Sequence, residues 1–409
     1  MSPPLTPATK SKPPTSWKML GISMVVLLAA MLSADDKTHT QNVSSDRDVP
    51  LTSHVLPSEW DLSEALNANE AGLVANSDKD QSKQLAAVIA MVEADPNQTT
   101  VYVPEGHYRI ASTIRLRPGV NLIGDGKGRT VFYRDDDRDY LVKGGARGDF
   151  GQTLVAGMSF RNSKRTLLMV DVHQLRFHNV EFEGGIVRFE RSSKITIEAC
   201  YFNRNLGKGG YAGSACSHMR IVYNRFLSTE KGSINLSGHQ DSYIGYNHIT
   251  ADKLIDSGYA GIRLPNTAKN NLVEHNYIEN HGRGLFVLTY SSHNTLRHNT
   301  IKSSKYQGIL VQSPHNVLEH NVIIDAGLAA IRVSDAYGEK VVPSFARDNQ
   351  VLHNIITDTR KANRDTQVGM VIISSNTTVE GNVIDRRFGR SFMNFREDQD
   401  NTKAGNIYR

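Results

Sequence analysis

The sequence predicts an all-β chain wound as a single-stranded parallel β-helix of about ten coils, with a helix capping its N-terminal end. Three observations carry this. First, one short phrase of residues recurs: NNLVEHNYIENHGRGLFVLTY from Asn270, HNTLRHNTIKSSKYQGILVQS from His293 and HNVLEHNVIIDAGLAAIRVSD from His315. A fixed period of this kind marks a repeat architecture. Second, the repeated units are short runs of Val, Ile, Leu, Phe and Tyr that alternate with polar residues, a strand period and not a helical one. Third, an Asn follows each small strand, at Asn179, Asn224, Asn247, Asn276, Asn299, Asn321, Asn354 and Asn382, with Cys200 in the one slot lacking it. Three short strands and three turns take up about 22 residues, so each interval is one coil and the longer intervals hold inserted loops.

The Asn column has a physical cause. Coils stack about 4.8 Å apart, and at each level a turn buries backbone groups that have no strand partner. An Asn amide offers two donors and an acceptor and tolerates the left-handed turn conformation. The strand after each Gly turn forms a second column: 233–239, 261–267, 284–290, 308–314, 330–336 and 369–375, with 187–191 in the same frame. Its second and fourth residues are aliphatic or Met, so they face inward and the third and fifth face out.

Taken in order, residues 1–18 are basic and Pro-rich and residues 19–34, MLGISMVVLLAAMLSA, are uncharged and mostly apolar. This pattern predicts a signal peptide or retained membrane anchor over 1–34, and so export to the periplasm or the cell exterior. Residues 35–60 read as a polar linker. In the capping region 61–96, DQSKQLAAVIAMVEADP from Asp80 predicts an amphipathic helix that covers the exposed core of the first coil. The β-helix itself is expected over 97–385, and 386–409 as a C-terminal cap or tail.

Within that span, Gly124-Asp125-Gly126-Lys127-Gly128 is followed by RTVFYR, a strand, so it predicts a turn rather than a nucleotide-binding loop. The acidic run Asp135-Asp136-Asp137-Arg138-Asp139 has the ligand type for a cation such as calcium but reads first as a solvated loop, and the residues leave a calcium requirement open. Cys200 and Cys216 lie on adjacent coils, either bridged or as two buried thiols. The net charge of +5, with 22% charged residues, is mild. No Lys/Arg cluster is interleaved with aromatics, which argues against a nucleic-acid partner.

Residues 100–134, TVYVPEGHYRIASTIRLRPGVNLIGDGKGRTVFYR, resemble the opening of right-handed parallel β-helix proteins of the pectin-lyase-like superfamily. The later coils resemble repeats of carbohydrate-binding and sugar-hydrolase β-helices, mannuronan C5-epimerases among them. The resemblance spans roughly 97–385 and implies a linear acidic polysaccharide held along one outer face. The Asp-Pro-His motif of the epimerases is absent; Ser237-Gly238-His239-Gln240-Asp241 stands nearest to it. Gly238-His239 and Gly261-Ile262-Arg263 echo polygalacturonase-like hydrolases, but the Asp pair expected ahead of them is missing.

The outward positions are therefore where a site is expected. The third positions run Arg188, Asn235, Arg263, Phe286, Leu310, Arg332, Val371, so the upper and middle coils are polar and basic and the later ones apolar. Basic residues with His and Tyr but few carboxylates suit abstraction of the C5 proton of a uronate, by a lyase or a C5-epimerase. The expected roles are Arg263 as neutraliser of the substrate carboxylate, His239 as base and Tyr290 as acid. Arg188, Asn235, Asp241, Tyr259, His281 and Arg283 are expected to contact the substrate. The alternatives are a non-catalytic polysaccharide-binding β-helix and a glycoside hydrolase. The predicted partner is an acidic polysaccharide, the membrane being met only through the N-terminal segment. The oligomeric state is not legible.

Overall fold

The computed structural model describes residues 62–205, 210–228, 230–335, 345–360, 368–385 and 391–409. The export segment and linker read at 1–60 lie outside the described residues. Among those residues no helix is long and apolar enough to cross a membrane.

The chain is an all-β parallel solenoid of about 12 coils, in which every strand pairs in parallel with the strand one turn later. Three ladders run along it. One carries Thr196–Glu198, Arg220–Val222, Tyr243–Gly245 and Leu272–Glu274; the next carries Tyr201–Asn203, Arg225–Ser228, His248–Ala251 and Tyr277–Glu279. The third carries Tyr211–Ser214, Ile234–Ser237, Ala260–Leu264 and Arg283–Val287. Two early strands, Leu154–His173 and Arg176–Glu190, each bend through all three ladders without a break. The ladders run on past 385, through Ser391–Phe395, Thr402–Ala404 and Ile407–Tyr408, so the stretch read as a C-terminal tail carries one more coil.

The interior follows from strand alternation. Tyr108, Phe132, Phe160, Phe182, Phe202 and Phe226 stack through successive coils with ring centroids 4.3 to 6.2 Å apart. The same column continues as Ile249, Ile278, Ile301 and Ile323, all buried. At the N-terminal end the helix Ser82–Ala94 buries Leu85, Val88, Ile89 and Val92 in the same core. Cys200 and Cys216 are free, buried thiols, and burial pushes Cys200 up to about 12. The run at 135–139 is ion-paired: Asp135 with Arg109, Asp136 with Arg134, Asp137 with Lys164 and Asp139 with Lys143. Gly126 and Gly128, at φ +138° and +77°, form the turn expected between Asn121–Gly124 and Thr130–Tyr133.

The Asn ladder forms, with one correction. Asn224, Asn247, Asn276, Asn299, Asn321, Asn354, Asn382 and Asn406 chain through their amides at 2.9 to 3.0 Å. Cys200 joins only by its backbone N–H, which donates to Asn224. Asn179 does not belong. Tyr201 pairs with Glu181, which sets Cys200 level with Val180 and Asn179 level with Ala199. Asn179 therefore sits in the preceding column, whose residues take the left-handed conformation: Ala199, Tyr223, Tyr246, His275, His298, His320 and His353 at φ +52° to +57°. The Asn residues themselves stay out of that conformation and satisfy the turn it creates. The residues just before them, His275, His298, His320 and His353, stack ring on ring at 5.0 to 5.2 Å. A second ladder, Asn271, Asn294, Asn316 and Asn349, runs along the next corner.

Asn299 shows what each rung is worth. Its Oδ1 accepts from the backbone and side chain of Asn276, and its Nδ2 donates to Val273 O and Asn321 Oδ1. Asn299→Ala strands a buried N–H and a buried C=O, each costing about 1–3 kcal/mol. A loss of about 2–6 kcal/mol in chemical denaturation is expected.

Candidate functional site

The outward face of the third ladder has the register expected from the sequence. Arg188, Ala212, Asn235, Arg263, Phe286, Leu310, Arg332 and Val371 pair in turn, one per coil. Their strand neighbours Ile262, Leu264, Leu285, Val287, Ile309 and Val311 are fully buried in the core. Alternation thus leaves one line of side chains turned away from the solenoid core, although Asn235, Phe286, Leu310 and Val371 are only 4% to 8% exposed. Open recesses also lie beside Leu85 and Ile89 of the helix and at the corner of Gly151 and Leu175.

At the middle of this line, cations and rings alternate. The Arg263 guanidinium lies 5.0 Å from the Tyr259 ring and 5.8 Å from that of Phe286. Arg283 lies 5.0 Å from Phe286 and 5.3 Å from Tyr306. Aromatic faces favour a cation most where water is scarce. Arg283 is fixed further: its Nε donates to Gln307 Oε1 at 2.8 Å and its Nη1 to the Gly258 carbonyl. Tyr306 in turn donates to Asp256 at 2.6 Å, and Lys305 pairs with the same carboxylate at 3.4 Å. These bonds tie the inserted loop 252–258 to the edge of the face. The Tyr306 hydroxyl and Lys305 hold the Asp256 carboxyl below the usual carboxylate range.

Electrostatically the centre is unbalanced. Among the described residues Arg263 and Arg283 have no carboxylate partner, whereas Arg188 pairs with Glu190 at 2.5 Å and Arg191 with Asp171 at 2.8 Å. Burial holds both Arg263 and Arg283 below the ordinary arginine value, and Arg263 adds to the effect at Arg283. One rung apart, Asn235 Oδ1 and Arg263 Nε are both buried with no hydrogen-bond partner. Buried polar atoms left bare in this way call for a partner, which a water or a ligand group can supply. The arrangement can accept an anion at Arg263 and lay sugar faces on the flanking rings.

Five expectations need correction. His239 is not on the face: it is fully buried inside the solenoid. Gly238, at φ +62°, turns the chain so that the imidazole swings inward. There its Nδ1 donates to Ser237 O at 3.4 Å and its Nε2 accepts from the Tyr211 hydroxyl at 2.8 Å. His281 is buried in the same way, donating to Glu279 O at 2.8 Å and accepting from Ser233 at 3.1 Å. Asp241 lies in the corner beyond the strand at φ +50°, where its carboxylate accepts from Asn270. Arg188 is on the face but is neutralised by Glu190. Tyr290 lies beyond the end of its strand, 60% exposed and edge-to-face with Phe345 at 4.6 Å, and is not among the rings that touch Arg263.

The structure thus brings together Tyr259, Arg263, Arg283 and Asn235 from the expected set. It adds Phe286, Tyr306, Gln307 and Asp256. Tyr306 and Gln307 were findable, because they occupy the place ahead of the Gly turn that Gly282-Arg283 occupies one copy earlier. Asp256 sits in an insertion, and no repeat indicates where an insertion folds.

The buried imidazole also explains a glycine. A Cβ on Gly213 would lie 2.1 Å from His239 Cε1. Gly213→Ala is therefore expected to cost stability at the upper end of the roughly 1–3 kcal/mol range for overpacking, read by thermal or chemical denaturation.

A family model described as "Rhamnogalacturonase A/epimerase, pectate lyase-like" matches residues 65–310, and one described as "Right handed beta helix region" matches 252–384. The mannuronan C5-epimerase AlgE1 of Azotobacter vinelandii is 34% identical over 101 residues, which is 23% of this chain and 7% of that protein. The chain therefore matches only a small part of this relative's length. Among solved structures, the A-module of mannuronan C-5 epimerase AlgE6 from Azotobacter vinelandii aligns with a TM-score of 0.54 at 15% identity, over 84% of this chain and 99% of that one. The catalytic unit of an α-1,3-glucanase from Streptomyces thermodiastaticus aligns at 0.51 with 17% identity, over 78% and 68%. Tailspike protein 3 of bacteriophage CBA120 aligns at 0.50 with 11% identity, over 84% and 62%. At these identities the likeness is one of fold.

Proposed function

The chain belongs to the rhamnogalacturonase A/epimerase, pectate lyase-like family, and we propose that it modifies an acidic, uronate-containing polysaccharide by abstracting the proton at C5. The single observation that carries this is the pair Arg263 and Arg283, half-buried on one aromatic ring with no carboxylate of the described chain to balance them. Such a pair is incomplete without an anion.

In this reading a uronate carboxylate seats on Arg263. Neutralising it draws charge from C5 and makes the C5 proton removable. The phenol of Tyr259, packed on Arg263, is the group we assign to take that proton. Departure of the O4 substituent then makes the reaction an elimination, and return of a proton from the other face makes it an epimerisation. Arg283 holds its place through Gln307 and Gly258 and supplies field rather than contact. The export segment read at 19–34 fits a polymer met outside the cytosol. The division into a leader and a linker ahead of the solenoid belongs to the same proposal.

A second reading is a polysaccharide-binding β-helix without catalysis. The burial of His239 and His281 favours it, because both imidazoles leave the face. A hydrolase is disfavoured, because Glu190 is held by Arg188, and Asp256 by Tyr306 and Lys305.

The test uses alginate, polygalacturonate and chondroitin, with ultraviolet absorbance for unsaturated ends and proton NMR for uronate composition. Change in either, on at least one polymer, is the expected result. Polymer bound but unchanged would select the second reading. Polymer neither bound nor changed would overturn both.

A further inference from the structure

Tyr259 comes directly after the inserted loop 252–258, so the place of that loop sets the place of its phenol. The loop is held at step after step. Asp252 pairs with Arg204 at 3.1 Å. Ile255 is buried, and its N–H donates to the Asn280 carbonyl at 2.9 Å. Asp256 accepts from the Tyr306 hydroxyl at 2.6 Å and pairs with Lys305. The Gly258 carbonyl accepts from Arg283 Nη1, and the Tyr259 N–H donates to the Ser257 hydroxyl oxygen at 3.1 Å. Lys253 and Leu254 form the exposed crest.

Two further features tie this loop to the site. Its seat is a glycine: a Cβ on Gly282 would press into the Ser257 carbonyl and crowd the Tyr259 carbonyl. Two backbones approach this closely only where no side chain stands between them. Its ties also close on themselves. Tyr259 packs on Arg263, Arg263 and Arg283 both lie over the Phe286 ring, and Arg283 also lies over Tyr306. Tyr306 in turn holds Asp256, which returns the circuit to the loop three residues ahead of Tyr259.

From this we infer that the loop 252–258 is a strap that positions the Tyr259 phenol, with Asp256 and Gly282 as positioning residues that act through the loop. The inference rests on the proposed function and deepens it. A base works only while it keeps its distance and direction to the proton it takes. The strap fixes the backbone on either side of Tyr259: Arg283 Nη1 donates to the Gly258 carbonyl, and the Arg283 N–H donates to the Tyr259 carbonyl at 3.0 Å. A shifted strap leaves Arg263 on its own strand to seat the carboxylate, so the strap bears on rate more than on affinity.

The test is kcat and KM of the full chain on whichever of alginate, polygalacturonate and chondroitin the wild type changes, per folded molecule. Gly282→Ala displaces the seat and is expected to lower kcat about 10²-fold, the usual result of misplacing a catalytic group by about 1 Å. Asp256→Ala removes one exposed tie and is expected to lower kcat about threefold. KM is expected to stay within about twofold in both, the mark of an interaction made in the transition state alone. Amide exchange is expected to quicken over 252–260 and not along the ladders. Should Gly282→Ala fail to fold, Asp256→Ala decides alone. Wild-type kcat in the variants, or a loss confined to KM or to the folded fraction, would overturn the inference and leave the proposed function standing. A wild type that changes none of the three polymers, or a Tyr259→Phe variant with full rate, would remove the assigned base and this inference with it.

Discussion

Acidification from pH 6.5 to pH 4 is expected to strip the fold of several kcal/mol, well before most of its carboxylates titrate. His239 and His281 are sealed inside the solenoid, and burial pushes each from 6.5 down to about 4. Their folded values lie below their unfolded ones, so the unfolded chain takes up protons that the folded chain refuses. The stability they permit is complete above pH 6.5 and declines as pH falls toward 4. Each shift corresponds to roughly 3 kcal/mol. Both imidazoles already use each nitrogen in a neutral tautomer, with Nδ1 donating to a carbonyl and Nε2 accepting from a hydroxyl. A proton added to Nε2 would force the hydroxyl to turn and accept, and would leave a charge sealed from water. Denaturant midpoints measured across this window are expected to fall with an uptake of about two protons on unfolding. His275 and His298 add in the same direction, since burial lowers both, His298 to about 4. Glu198, whose value lies below the ordinary range, acts later, at lower pH. A His281→Asn variant is expected to flatten the slope by about half. Stability independent of pH over this range would show that the two imidazoles are not sealed.

Arg263→Ala is expected to lower turnover of the uronate polymer by about 10²–10³, the usual cost of losing one donor to developing negative charge. Arg263→Lys keeps the charge but not the planar fork held between Tyr259 and Phe286, so it should recover only part of the rate. His239→Gln is the informative contrast. A base on the face would lose its reaction when replaced. A buried imidazole bonded to Tyr211 would lose stability and leave the rate per folded molecule nearly unchanged. Measuring both variants at neutral pH, with folded fraction fixed by circular dichroism, separates the two roles.

Much of the fold was legible because the repeat writes each rule many times over. The alternation at Ile262-Arg263-Leu264 and Leu285-Phe286-Val287 placed the outward line correctly, since a strand has only two faces. Register was harder. Asn179 resembles a ladder residue, but Cys200 in the next coil gave no second Asn to align it, and it fell one position out. The second ladder at Asn271, Asn294, Asn316 and Asn349 was visible as a second Asn ahead of each first one, and went unread. At the site, Arg263 followed from strand phase, and Arg283 from its place beside the strand. His239 and His281 did not, because each lies at a corner where a glycine, Gly238 or Gly282, frees the chain from strand alternation. Which way a corner residue points depends on the room inside, here the space left by Gly213. The Asp256–Tyr306 contact joins residues 50 apart through an insertion, beyond the reach of periodicity.

The central claim is that the substrate carboxylate seats on Arg263, on the outside of the solenoid. Calorimetric titration of a short oligouronate into wild type and Arg263→Ala, at low and high salt, tests it most directly. The account predicts at least a roughly tenfold loss of affinity in the variant and a weaker dependence on salt. Affinity and salt dependence unchanged by the substitution would contradict it and move the binding site off this face.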